Sequence, residues 1–133
     1  MTFEGKVVIV TGRTSGIGYG ISEELLVRGA YVWVIGSRQD SVEKAKVSPA
    51  ANPNARFAAV DVKDNAAVEK MISDCVREFG RLDYLFNNAK IGIVSPYEKT
   101  TLDDWKKIIE INLWGVIYGV NAALPVMGKQ GSG

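Results

Sequence analysis

The 133-residue chain contains no histidine and only one cysteine, Cys75. Without histidine, Ser-His-Asp and Cys-His nucleophile systems are excluded, as are nearly all histidine-ligated metal sites. A lone cysteine permits neither an intrachain disulfide nor a cysteine-cluster metal site, which suits a reducing compartment. An excess of one charge sign is also lacking, since 16 Lys+Arg against 15 Asp+Glu leave a net +1. That balance argues against a polybasic nucleic-acid or membrane-surface binder. No unbroken apolar run approaches the ~18 residues of a membrane span, and no basic segment followed by an apolar stretch marks a secretion signal. The expectation is a soluble cytoplasmic protein with neither nucleic acid nor membrane as partner and no metal. What is present is apolar mass, 47% of the residues, enough to bury a core within one domain spanning residues 1–133.

Short apolar runs alternate with longer amphipathic ones. Lys6–Thr11, Tyr31–Ile35, Arg56–Val60 and Leu82–Phe86 read as strands, and their apolar character on both faces suggests cover on both sides, as in a parallel sheet. Ile17, Ile21 and Leu25 share one face of a helix that Gly29 would close. A weaker helix over Asp40–Val47 is stopped by Ser48-Pro49 and Asn52-Pro53-Asn54. Asp64 is placed to cap a helix in which Val68, Met71, Ile72, Cys75, Val76 and Phe79 form one stripe, with Gly80 at its end. On that stripe Cys75 reads as a buried small hydrophobe. A last long helix opens at Thr101 or Asp103 and runs to about Leu124, where Pro125 should stop it. Its stretch Ile111–Val120 is apolar almost all round and predicts burial on more than one side. Strands alternating with helices in this way imply right-handed crossovers and an open parallel sheet with helices on both faces.

Between the first strand and first helix lies Thr11-Gly12-Arg13-Thr14-Ser15-Gly16-Ile17-Gly18. Glycines there allow a tight turn and close approach of a pyrophosphate, and the new helix offers free N–H groups and a positive dipole end. The plain alternative is an ordinary glycine-rich turn; the strand–turn–helix placement favours dinucleotide binding. The spacing is T-G-x-x-x-G-I-G, not G-x-G-x-x-G. With Asp61-Val62 after the third strand, Asn87-Asn88-Ala89-Lys90 after the fourth and Asn112-Leu113-Trp114-Gly115 in the long helix, the chain resembles the short-chain dehydrogenases/reductases along its whole length. The resemblance implies a Rossmann-type doubly wound α/β sheet, cut off after the fourth strand and its following helix. It also implies hydride transfer between a nicotinamide and an alcohol or ketone carbon.

The residues implied in cofactor binding are Gly12, Arg13, Thr14, Ser15, Gly16, Ile17, Gly18, Ser37, Arg38, Asp61, Val62, Asn88, Ala89 and Lys90. Asp61 would meet the adenine, or else serve as a turn residue. On its own chemistry Asn112 reads first as a structural hydrogen bonder; the resemblance reverses that and implies it in catalysis, its backbone carbonyl joining a proton relay through a water. Asp83 reads as structural. The second strand ends in Gly36-Ser37-Arg38 with no acid before Asp40. This leans to the 2′-phosphate of NADP over the 2′-hydroxyl of NAD, with Arg38 and Arg13 near that group or simply solvated.

The family's general acid/base is a tyrosine in Tyr-x-x-x-Lys, aided by a serine. Tyr19, Tyr31, Tyr84, Tyr97 and Tyr118 are followed four residues on by Glu23, Ile35, Asn88, Thr101 and Ala122, so the motif does not occur here. The chain therefore reads as a cofactor-binding half, inactive alone, that ends near Gly131-Ser132-Gly133. Lys90 stands where the family has glycine, and would crowd the cofactor, point to solvent or meet a phosphate. An uncovered fourth strand and a long helix short of partners predict a homo-oligomer or segment-swapped dimer. The rival reading is a non-catalytic nucleotide-binding or self-assembling Rossmann module.

Overall fold

The computed structural model describes residues 2–12, 16–46 and 52–133. Four strands form one parallel sheet: β1 (Val7–Thr11), β2 (Tyr31–Gly36), β3 (Ala55–Ala59) and β4 (Tyr84–Phe86), in the order β3-β2-β1-β4. Every residue of β1 is buried, and Val8, Ile9 and Val10 are wholly inaccessible. Alternate side chains of a strand point to opposite faces, so β1 feeds two cores. Val7 and Ile9 join Val68, Met71, Ile72 and Cys75 of α3 (Asn65–Phe79) on one face. Val8 and Val10 join Val32, Val34 and Leu25 on the other, Leu25 coming from α1 (Ile17–Val27). Each such aliphatic side chain contributes about 1.5–3 kcal/mol by leaving water, which makes β1 the spine of the sheet. The expected doubly wound arrangement is therefore present.

The elements begin and end where local chemistry asks. Asp64 Oδ1 accepts the Ala67 N–H at 3.1 Å and starts α3, and Gly80 in the left-handed conformation ends it. Helix α2 (Gln39–Lys46) follows β2 directly; the expected stop at Ser48-Pro49 lies outside the described residues. In α1 the expected face needs correction. Ile17 is 67% exposed, and the buried face is Gly18, Ser22 and Leu25. Leu25 and Ile21 do pack on the core as the spacing predicts; only Ile17 departs, with the small residues Gly18 and Ser22 buried beside Leu25.

The last helix departs most from expectation. A short 3₁₀ turn (Tyr97–Lys99) precedes it. Thr101 is the cap: its hydroxyl accepts the Asp104 N–H at 3.1 Å while the Asp104 carboxylate accepts the Thr101 N–H at 2.9 Å. Then follow α4 (Leu102–Ile109), a single π turn (Glu110–Trp114) and α5 (Gly115–Gln130) without interruption. Pro125 lies inside α5 rather than ending it. Val126 and Met127 beyond it pack on the core, and the Gln130 side chain holds the Leu82 N–H and C=O, each at 2.8 Å. These contacts offset the hydrogen bond that proline cannot donate.

Nor is the helix buried on several sides. Gly115, Gly119 and Ala123 face the sheet and α3, whereas Trp105, Ile109, Leu113, Trp114, Val120 and Leu124 remain exposed. On averaged composition this 29-residue helix is long and apolar enough to cross a membrane, although it contains no unbroken apolar run of that length.

Candidate functional site

The carboxyl ends of the four strands open onto one crevice of about 430 Å³, the place where doubly wound sheets bind ligands. Its floor is built by contacts between the ends of β1 and β4. The Thr11 hydroxyl, buried, accepts the Asn88 N–H at 3.2 Å and the Ala89 N–H at 3.1 Å, and donates to the Phe86 carbonyl at 3.3 Å. The Asn88 side-chain amide donates to the carbonyls of Thr11 (3.1 Å) and Gly12 (3.0 Å). These bonds draw the β4 end so close that a Cβ on Gly12 would lie 2.4 Å from the Ala89 Cα. Gly12 also has φ +73°. Both facts require glycine there.

Of the residues singled out in the sequence, Gly12, Gly16, Ile17, Ser37, Asp61, Val62, Asn88, Ala89 and Lys90 line this crevice. Arg13, Thr14 and Ser15 lie outside the described residues. Gly18, Arg38 and Asn112 do not line it. Gly18 is buried within α1, its carbonyl accepting the Ser22 hydroxyl at 2.9 Å, so its contribution is helix packing. Arg38 is exposed beside Asp40 at 3.7 Å. Asn112 sits in the π turn, where its side chain accepts the Ile91 N–H at 2.9 Å and donates to the Ile91 carbonyl at 2.8 Å. The Gly115 N–H reaches back five residues to the Glu110 carbonyl, and Gly115 itself meets Val62, which a Cβ would approach to 2.9 Å. The widened turn thus belongs to a stretch that grips both the β3 and β4 ends of the crevice. Single π turns are frequent at functional sites.

Asp61 stands just past the end of β3. It lines the crevice, yet its carboxylate also accepts the Lys63 N–H at 3.0 Å and lies 3.7 Å from the Lys63 ammonium. Lys90 adopts no positive φ, so a lysine backbone fits where the family has glycine. Asp83 is structural. It accepts the Val7 N–H at 2.9 Å and meets Arg81 and Lys6, tying the approach of β4 to β1. Burial pushes its carboxyl upward, but the Arg81 hydrogen bond, the Val7 N–H and the cationic neighbours outweigh that and hold it below its usual value. Burial, helped by the Glu78 charge, pushes the Cys75 thiol up to about 12, which makes it inert. Among the described residues, no group of three or more His, Cys, Asp or Glu is placed to hold a metal ion.

Thr11, Ile35, Gly36, Val60, Ile91 and Ile111 complete the site or its floor and were not singled out in the sequence. Thr11 was legible as the first letter of the glycine motif and Gly36 as the end of the second strand; Ile35, Val60 and Ile111 read only as strand or helix core, and Ile91 carried no reading.

A dinucleotide fits this arrangement. Gly16 precedes α1 at φ +68°, ψ −129°; no side chain caps α1, and its first turn carries no acid. Among the described residues, a Cβ on Gly16 would meet nothing within 4 Å, which leaves room for an anion beside that glycine.

Comparison with known proteins agrees with this geometry. Residues 6–133 match the family described as short chain dehydrogenase. The chain is 35% identical to an NADP-dependent (R)-specific alcohol dehydrogenase of Lentilactobacillus kefiri, covering 98% of this chain and 52% of that protein. It is also 35% identical to a meso-2,3-butanediol dehydrogenase of Serratia marcescens, covering 94% of this chain and 49% of that one. A crystal structure of a short chain dehydrogenase from Bacillus anthracis superposes with a TM-score of 0.91 at 31% identity, over 98% of this chain and 55% of that one. The chain spans about half the length of the curated relatives it matches. With four strand ends converging on a glycine turn, and a family match from residue 6 to residue 133, the chain belongs to the short-chain dehydrogenase family.

Proposed function

We propose that the protein is an NAD(P)-dependent oxidoreductase acting on a small alcohol or ketone in the cytoplasm, and that these residues form its dinucleotide-binding part. The observation that carries this reading is the crevice at the strand ends, with Gly12 and Gly16 beside the uncapped start of α1. A bound nicotinamide cofactor would supply or accept hydride. Gly12, Gly16 and Ile17 would present backbone N–H groups to its phosphates; Arg13, Thr14 and Ser15 are assigned to the same turn from the sequence motif alone. Ser37, Asp61 and Val62 hold the adenosine end, and Asn88, Ala89 and Lys90 form the wall on the β4 side. Asn112 positions that wall through Ile91, and by family resemblance its backbone carbonyl would join a proton relay.

NADP is the favoured cofactor, because no acid closes the end of β2 and Arg38 stands there. Titration calorimetry with NADPH and NADH tests this: binding of both, tighter for NADPH, is expected. No heat with either at high protein concentration would refute the dinucleotide reading. Because no Tyr-x-x-x-Lys occurs in these 133 residues, this chain alone is expected to bind without oxidising alcohols.

A second reading, a self-assembling module, is favoured by one further observation. β4 pairs only with β1, and the apolar face around Trp105 and Trp114 is uncovered. Sedimentation velocity showing a homodimer or larger species would support it; a monodisperse monomer would not.

A further inference from the structure

Among the described residues, two charged side chains line the crevice, Asp61 and Lys90. Asp61 has its partner in Lys63. Lys90 has no ion-pair partner among the described residues and stands exposed on the β4 side. Its backbone is held from both directions. Asn88 and Ala89 before it are bonded to Thr11 and Gly12, and Ile91 after it is clasped twice by Asn112. A cation on a fixed stem inside a ligand crevice, with no acid to neutralise it, is a ready anion contact.

The sheet order says which anion. Lys90 follows β4, which is the neighbour of β1, and β1 leads into the glycine turn. Ala89 packs directly on Gly12. Arg38 follows β2, on the other side of β1, so about two strand spacings of ~4.8 Å separate β2 from β4. Resting on the dinucleotide reading above, we infer that Lys90 contacts the diphosphate of the bound dinucleotide and takes no part in reading the 2′-phosphate. The lysine in place of glycine is then an added phosphate anchor, not an obstruction.

The test is equilibrium binding by fluorescence or calorimetry to the whole chain and to Lys90→Met and Lys90→Arg, with circular dichroism to verify an unchanged fold. The ligands are NADPH, NADH and adenosine 2′-monophosphate, which carries the 2′-phosphate and no 5′-phosphate. In low salt, Lys90→Met should weaken NADPH and NADH by the same factor, roughly fivefold for a half-solvated ion pair. It should leave adenosine 2′-monophosphate unaffected, and Lys90→Arg should restore most of the loss. The difference should shrink as salt is raised to ~0.5 M, where exposed charges are screened. Unchanged or tighter binding of the dinucleotides by Lys90→Met overturns the inference, as does a loss confined to NADPH and adenosine 2′-monophosphate. Failure of the unsubstituted chain to bind either dinucleotide is a different result: it removes the parent reading, and this inference with it.

Discussion

Thr11→Val isolates the hydroxyl that joins β1 to β4. The two side chains have nearly the same shape, so no cavity opens in the 3% exposed site. The hydroxyl takes part in three hydrogen bonds, but they are not equally dependent on it. The Asn88 N–H and the Phe86 carbonyl also bond each other at 2.9 Å, so both keep a partner. The Ala89 N–H, whose bond to Thr11 is 3.1 Å, loses its acceptor. One part-buried orphaned donor predicts a loss of about 1–2 kcal/mol, against the larger figure that three lost bonds would suggest. Urea unfolding followed by circular dichroism reads this as a lower midpoint at unchanged slope. Thr11→Ser keeps the hydroxyl and gives up one methyl, costing about 1 kcal/mol from the core alone. The two variants should then separate in ligand binding: Thr11→Val loosens the Asn88–Lys90 wall and weakens NADPH severalfold, while Thr11→Ser does not. If Thr11→Val matches the parent within ~0.3 kcal/mol, or if the two variants bind NADPH alike, the hydroxyl is not what positions this wall.

Gly12→Ala combines a positive φ with a Cβ 2.4 Å from the Ala89 backbone; it should destabilise by at least ~2 kcal/mol and abolish dinucleotide binding, as thermal melts and titration would show. Asp83 has a folded pKa held below its usual 3.8, so its contribution is present above that value and is lost as pH falls through the lower folded value. Acid titrations of stability should therefore show a steeper loss below pH ~4 in the parent than in Asp83→Asn, and parallel curves would contradict the assignment. Cys75, buried with its thiol pushed up to about 12, should resist a thiol reagent at neutral pH in the folded chain and react on denaturation; rapid labelling of folded protein would mean that α3 is not seated as described. Gln130→Ala should cost about 1–2 kcal/mol through the two Leu82 bonds, and an unaffected melting curve would show that the helix beyond Pro125 is held by other contacts.

The elements legible in the sequence were those whose signal is local. The strand Val7–Thr11 declares itself by β-branched residues on both faces, and α3 by an Asp64 cap, an unbroken apolar stripe and a closing Gly80. What misled was local signal overruled by packing. Pro125 is a strong stop, yet helix continuation gains Val126, Met127 and Gln130 contacts that only the folded sheet provides. Ile17 repeats in step with Ile21 and Leu25, yet Gly18 and Ser22 are buried instead, because close approach to the sheet suits small side chains.

The site divides along the same line. Glycines and the Asn88 amide were readable because turns and backbone clamps admit few residue types, and nine of the residues singled out do line the crevice. Arg38 follows β2 and was read as a 2′-phosphate contact or a solvated charge; a long charged side chain carries no directional information in sequence, and here it is exposed beside Asp40, outside the crevice lining. Asn112 was readable as a polar residue needing partners; that its partner is Ile91, and that a π turn brings it there, depends on two segments far apart in the chain. That grip bears on function more than any single contact does. The β4 end is bonded to the glycine turn by Thr11 on one side and to the long helix by Asn112 on the other. A shift of that helix would therefore be felt directly at the backbone that carries Lys90.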